Sequence, residues 1–153
     1  MPPKLCQQDM AAKAKDCRIR LTRRELLSII EKNGTSVDLD LSVYDLSGLD
    51  LGRDAIMREA EVVRSTNGMR PIWQDKTTSG IKLNGVILIG GMLDGINLSF
   101  ANLRDSTFIS ASLQSANLHR AYLPGAYFQC AEMNRVDLSG AVAVDTHFDS
   151  ADL

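Results

Sequence analysis

Residues 96–123 read INLSF-ANLRD-STFIS-ASLQS-ANLHR-AYL, with the hyphens placed where the sequence repeats itself. The third residue of each quintet is large and apolar: Leu98, Leu103, Phe108, Leu113, Leu118 and Leu123. Working outward, the same register runs back to Leu83 and forward through Phe128, Met133, Leu138, Ala143 and Phe148 to Leu153. Two residues before each centre stands a small or apolar residue, such as Ile81, Val86, Ala101, Ala116 and Ala151, with Ser106 and Thr146 the polar members. A period of five is neither the 3.6 of a helix nor the 2 of a simple strand. It marks an internally repetitive architecture, which has to be recognised before any other reading.

The pattern resembles the pentapeptide-repeat family, A-(D/N)-L-x-x, seen nearly verbatim in Ala101-Asn102-Leu103, Ala116-Asn117-Leu118 and Ala151-Asp152-Leu153. The resemblance implies an all-β solenoid: a right-handed, four-sided β-helix with one quintet per side and twenty residues per coil. The centre and the residue two before it would point inward, and the other three outward. Residues twenty apart would then stack. Phe108, Phe128 and Phe148 are spaced by twenty and are the only phenylalanines at centres; Asn97, Asn117 and Asp137 repeat at the same interval. Stacked coils about 4.8 Å apart would pair their backbones, and each quintet would depend on its neighbours for stability. The Asp/Asn positions are expected to bond along the stack.

The motif starts earlier, in Leu39-Asp40-Leu41, Tyr44-Asp45-Leu46 and Leu49-Asp50-Leu51. Leu51 and Leu83 are 32 residues apart, which is not a multiple of five. The chain therefore divides into a polar, flexible leader (1–21), an N-terminal capping helix (22–35), a first coil (36–53), a helix-and-loop insertion (54–80) and the main rod (81–153). Thr22-Arg23-Arg24-Glu25 is a capping box that opens the first helix, and Asn33-Gly34 closes it. Laid over the first coil, that helix would cover its strand edges. In the insertion, Asp54 is expected to N-cap a helix from Ala55 to about Thr66, with Asn67-Gly68 as the stop.

Composition excludes several functions. Apolar residues are 44% and charged residues 24%, an ordinary globular balance. No apolar run reaches the roughly 18 residues of a membrane span, and MPPKLCQQDM has no signal-peptide core, so a cytoplasmic setting is expected. Cys6, Cys17 and Cys130 lack CxxC spacing and are expected to be reduced thiols. Residues 1–35 carry eight basic against four acidic side chains, while residues 81–153 carry four against seven. No dense basic stripe exists for nucleic acid.

No catalytic, cofactor or metal constellation is expected. His119 and His147 fall outward on different sides, Cys130 has no base beside it, and Gly90-Gly91 lacks the lysine of a phosphate loop. Asp40, Asp45 and Asp50 lie on three sides of one coil and cannot converge on a cation, so a structural role is expected of them.

Outward apolar residues are the remaining signal. Ile87, Ile89, Ile109 and Tyr127 share the phenylalanine side, where the insertion, with Trp73 as its contact residue, is expected to cover them. Tyr122, Pro124, Val142 and Val144 lie on the neighbouring side as a candidate partner or self-association surface. Met92 and Phe100 are read as scattered. Ala143 stands where its stacked neighbours are leucines, so the last coil is underfilled. Either the repeat runs on in a longer chain or two rods abut, and a homodimer through the C-terminal coil is the expected partnership. The functional reading is a non-enzymatic interaction or scaffold module with a protein partner. The alternative, implied by the resemblance, is a DNA-mimicking modulator of a type II topoisomerase such as gyrase.

Overall fold

The computed structural model describes residues 18–153. From Ile81 onward the backbone pairs with itself at a fixed interval of twenty residues, always in parallel. Lys82 bridges Asn102, Asn102 bridges Tyr122 and Tyr122 bridges Val142, making one column. Columns through Ile87-Thr107-Tyr127-His147, Met92-Ser112-Glu132-Asp152 and Asn97-Asn117-Asp137 complete four faces, numbered here one to four. The molecule is a β-helix whose rungs are single bridges rather than long strands.

The corners explain why the rungs are so short. From Leu83 to Phe148, every centre's carbonyl except that of Ala143 accepts from the N–H three residues on, as in Leu113 O with Ala116 N at 2.9 Å. All fourteen corner residues from Gly85 to Ser150, two places after a centre, have positive φ. A tight turn with a left-handed third residue is thus built into every quintet. Five of these corners are glycine; Phe100, Arg120 and Arg135 are among those that take the conformation against their steric preference.

Inside, the centres form columns of their own. Phe108 and Phe128 stack with ring centroids 4.7 Å apart, and Phe128 and Phe148 at 5.3 Å, both pairs nearly coplanar in orientation. The small inward residues allow this close approach, and the polar ones bond to backbone carbonyls. Ser106 donates to the Leu103 carbonyl, and Thr146 Oγ1 to the Leu123 carbonyl at 2.9 Å.

The Asp/Asn position works differently from the expected ladder. Its side-chain oxygen accepts from the N–H two residues on: Asp40 from Ser42 at 2.9 Å, Asp45 from Ser47 at 2.9 Å, and Asn117 from His119 at 2.9 Å. The short side chain reaches its own turn more readily than the next coil. Asn97 Nδ2 to Asp50 Oδ1, at 2.9 Å, does run along the stack.

The first coil joins the rod across a longer gap. Asp40, Asp45 and Asp50 bridge Ile87, Met92 and Asn97, an offset of 47 where every later coil has 20. The excess is 27, the length of residues 54–80, so the insertion leaves the coil register undisturbed. Both its ends lie over Phe100. The Arg53 guanidinium sits 4.4 Å above that ring, and a Cβ at Gly80 would run into the Phe100 carbonyl.

The N-terminal end is closed by elements that precede and interrupt the rod. Strand β1 (Ile19–Arg20) pairs in parallel with β2 (Tyr44–Asp45), adding a rung to face three. Residues 18–21 of the expected leader thus take part in the cap, and Leu21 is buried; the rest of the expected leader lies outside the described residues. Helix α1 (Arg23–Asn33) has the full capping box between Thr22 and Glu25 and ends at left-handed Gly34. Helix α2 (Arg53–Asn67) starts two residues earlier than its sequence suggests: Gly52 is the N-cap, and Asp54 lies in the first turn. There its charge favours the helix N-terminus without making a cap bond. Leu41, Leu46 and Leu51 have no coil before them, yet all are buried, in one cluster with Leu26, Ile30, Ile56, Ala60 and Trp73. The insertion and α1 together cap the rod.

Candidate functional site

Tyr122 and Val142 are bridge partners on face one, and Pro124 and Val144 stand two residues further along the same two rungs. The structure brings the four together. Val142 is 44% exposed and Val144 60%, while Tyr122 and Pro124 are half-buried. Arg104 and Asp105, paired at 3.3 Å, lie on the preceding rung, and Asp145 follows Val144 at the corner. This apolar patch has mixed charge at its edge.

Trp73 is 2% exposed, and its indole Nε1 donates to Glu31 at 2.8 Å. It faces α1 at the N-terminal end and not the phenylalanine side. That placement replaces the expectation that the insertion covers Ile87, Ile89, Ile109 and Tyr127. The physical reason is that Leu41, Leu46 and Leu51, at the end of the first coil, share one buried cluster with Ile56, Ala60 and Trp73 of the insertion. Tyr127, 40% exposed, instead lies parallel to the His147 ring at 4.8 Å.

Phe100, which reads as scattered in the sequence, is a junction. Arg53 lies over one part of its ring, Arg120 at 5.8 Å from its centroid, and His119 meets its edge at 5.8 Å. Its corner position, where a large aromatic is costly, was the available signal. Asp75 is a second junction missed by the sequence reading. Its carboxylate accepts from Asn102 Nδ2 (2.7 Å), Thr77 N (2.8 Å), Thr78 N (2.7 Å) and Thr78 Oγ1 (3.2 Å), tying the insertion to face one. Burial works against the charge, but the bonds from Asn102, Thr78 and Thr77 outweigh it and hold the carboxyl below its ordinary range.

One cluster has the residue types of a hydrolase. Ser139 Oγ donates to Asp137 at 2.6 Å and lies 2.8 Å from His119 Nδ1. The serine stands between the acid and the imidazole, so its proton is committed to the carboxylate. A nucleophilic serine needs the imidazole as its acceptor and the acid behind that. The same bonds from Ser139, with the nearby imidazole, lower the pKa of Asp137. No group of three or more metal-ligating side chains occurs among the described residues. Cys130 is disulfide-bonded, a correction to the expected reduced thiol; Cys6 and Cys17 lie outside the described residues. No helix among the described residues is long and apolar enough to cross a membrane.

Residues 92–129 match the family model for pentapeptide repeats, in eight copies. No curated protein matches the chain. Among solved structures, a pentapeptide repeat protein from the cyanobacterium Cyanothece 51142 is 25% identical over 92% of this chain, with a TM-score of 0.38. HetL, a pentapeptide repeat protein involved in heterocyst differentiation regulation in the cyanobacterium Nostoc sp. strain PCC 7120, is 20% identical over 73%, with a TM-score of 0.34. The chain spans 63% and 50% of the lengths of those two proteins. Residues 92–129 of this chain are thus pentapeptide repeats, and the register they share runs unbroken from Ile81 to Leu153.

Proposed function

We propose that this protein is a non-enzymatic interaction module: a right-handed quadrilateral β-helix that presents flat faces to a protein partner. The observation that carries the reading is the patch of Tyr122, Pro124, Val142 and Val144, with both valines well exposed on a rigid face. A second copy of the chain is the first partner to test, joined through the C-terminal coil with two-fold symmetry. Light scattering compares wild type with a Val142→Lys, Val144→Glu double variant. A dimer that the variant abolishes supports the reading, and a wild type that stays monomeric at high concentration sinks the homodimer. Affinity capture from the native host then decides on another partner. Nothing retained by wild type and lost by the variant would reject this face. We place the module in the cytoplasm, a setting in which a lasting disulfide at Cys130 would be unusual, so thiol trapping in intact cells checks the compartment: Cys130 found as a free thiol supports it, and Cys130 found oxidised rejects it.

A further inference from the structure

Among the described residues, the cap leaves one rung of the β-helix unfilled. On face three, β1 lies over Tyr44–Asp45, and Leu21 N donates to Asp45 O at 3.2 Å. On face four the corresponding edge is Asp50, where the chain has already turned away into α1. A cleft of about 720 Å³ opens there, between Arg20–Arg24, Gly48–Asp50 and Glu59. Arg23 Nη1 donates to the Asp50 carbonyl at 3.1 Å, in place of the strand N–H that is missing. The Asp50 N–H has no partner among the described residues. An edge with a free backbone N–H, and a carbonyl held only by a side chain, is a template for an added strand.

Charge selects what could be added. Both carboxylates of the cleft are engaged: Glu59 takes two bonds from Arg23, at 3.1 and 3.2 Å, and Asp50 Oδ1 accepts from Gly52 N and Asn97 Nδ2. Arg20 spends one nitrogen on the Ser47 carbonyl at 3.2 Å, and Arg24 is exposed with no partner among the described residues. Two guanidinium groups thus flank the vacant rung without a counter-charge, and their planar forks suit carboxylates. Buried Leu21 and half-buried Leu49 give the cleft an apolar floor.

We propose that this cleft binds an extended, acidic peptide segment of another protein, laid as a rung over Asp50 with its carboxylates on Arg20 and Arg24. The inference rests on the reading of the chain as an interaction module and gives that module a second contact, remote from the Val142 patch. The test is fluorescence anisotropy on the full chain with a labelled peptide of alternating valine and glutamate. Comparison peptides alternate valine with lysine, or carry N-methyl groups on the backbone of the acidic sequence. The acidic peptide should bind, with affinity falling at least about tenfold in Arg20→Glu/Arg24→Glu and on N-methylation, and with no binding of the lysine peptide. Arg24→Glu alone, at an exposed side chain with no polar partner among the described residues, guards against unfolding and should show a smaller loss in the same direction. Equal binding of the N-methylated peptide would overturn the added rung. Binding that is absent up to millimolar peptide, or unchanged in both variants, would overturn the cleft. If wild type still associates through the Val142 patch, the module reading survives that failure; if neither contact is found, both fall.

Discussion

Phe128 occupies the middle of the only aromatic column in the core, fully buried between Phe108 and Phe148. Truncation there removes two ring contacts from a site that coils on both sides prevent from collapsing. Phe128→Ala should cost about 3–5 kcal/mol in denaturant unfolding, and a variant that melts like wild type would refute the stacked register. Asp75 tests a polar contact in the same way. Its folded pKa is lowered, so its contribution to stability is present above the unfolded value near 3.9 and is lost as pH falls through the folded value. Asp75→Asn should therefore lower stability at neutral pH and flatten the acid limb of the stability curve below about pH 4. An unaltered acid limb would show that the Asn102 and Thr78 bonds do not discriminate the charged form. Neither role follows from residue type alone. Phe128 was legible because a spacing of twenty singled it out, whereas Asp75 lies in a segment without periodicity, and its partner Asn102 is distant in sequence.

Among the elements, α1 was the most legible, because Thr22, Glu25 and Gly34 act through neighbours within a few residues. The start of α2 was less so. Asp54 has the chemistry of a cap, but Gly52 takes that place, because the Asp50 turn and the crowding of Asn97 against Gly52 fix where the chain leaves the rod. The docking of the insertion was not legible at all, since it depends on where the open end of the first coil lies in space. The Val142 patch was legible as outward apolar positions, and the cleft at Asp50 was not, because an unfilled rung has no sequence of its own. The cap makes a measurable claim. With Trp73 buried against α1 and bonded to Glu31, its emission should be blue-shifted and protected from a soluble quencher in the isolated protein. Glu31→Ala should leave the indole N–H without its acceptor and cost about 1–2 kcal/mol. Emission typical of water-exposed indole would remove Trp73 from the cap.

At the scale of the whole molecule, the rod and its cap have separable origins. The insertion adds 27 residues between two positions that a regular coil would join directly, since Arg53 has the corner place and Ile81 the inward place after it. Removing residues 54–80 therefore restores an offset of 20 throughout. One local cost is foreseeable. Arg53, now in a helix, would have to take the left-handed corner, so Arg53→Gly in the shortened chain should recover about 1 kcal/mol. The larger cost is at the top of the first coil. Leu41, Leu46 and Leu51 would lose Ile56, Ala60 and Trp73 from their cluster, and burial of the two large side chains alone stabilises by about 3–6 kcal/mol. The shortened protein should keep its β signal in circular dichroism, lose helical signal, melt lower, and bind a hydrophobic dye at the uncovered end. Self-association through that end should follow, because an uncovered coil offers both apolar surface and free strand edges. Loss of the β signal would mean that the rod needs the insertion in order to fold. Unchanged melting without dye binding would mean that α1 covers the first coil by itself, and that the insertion serves only its outer surface.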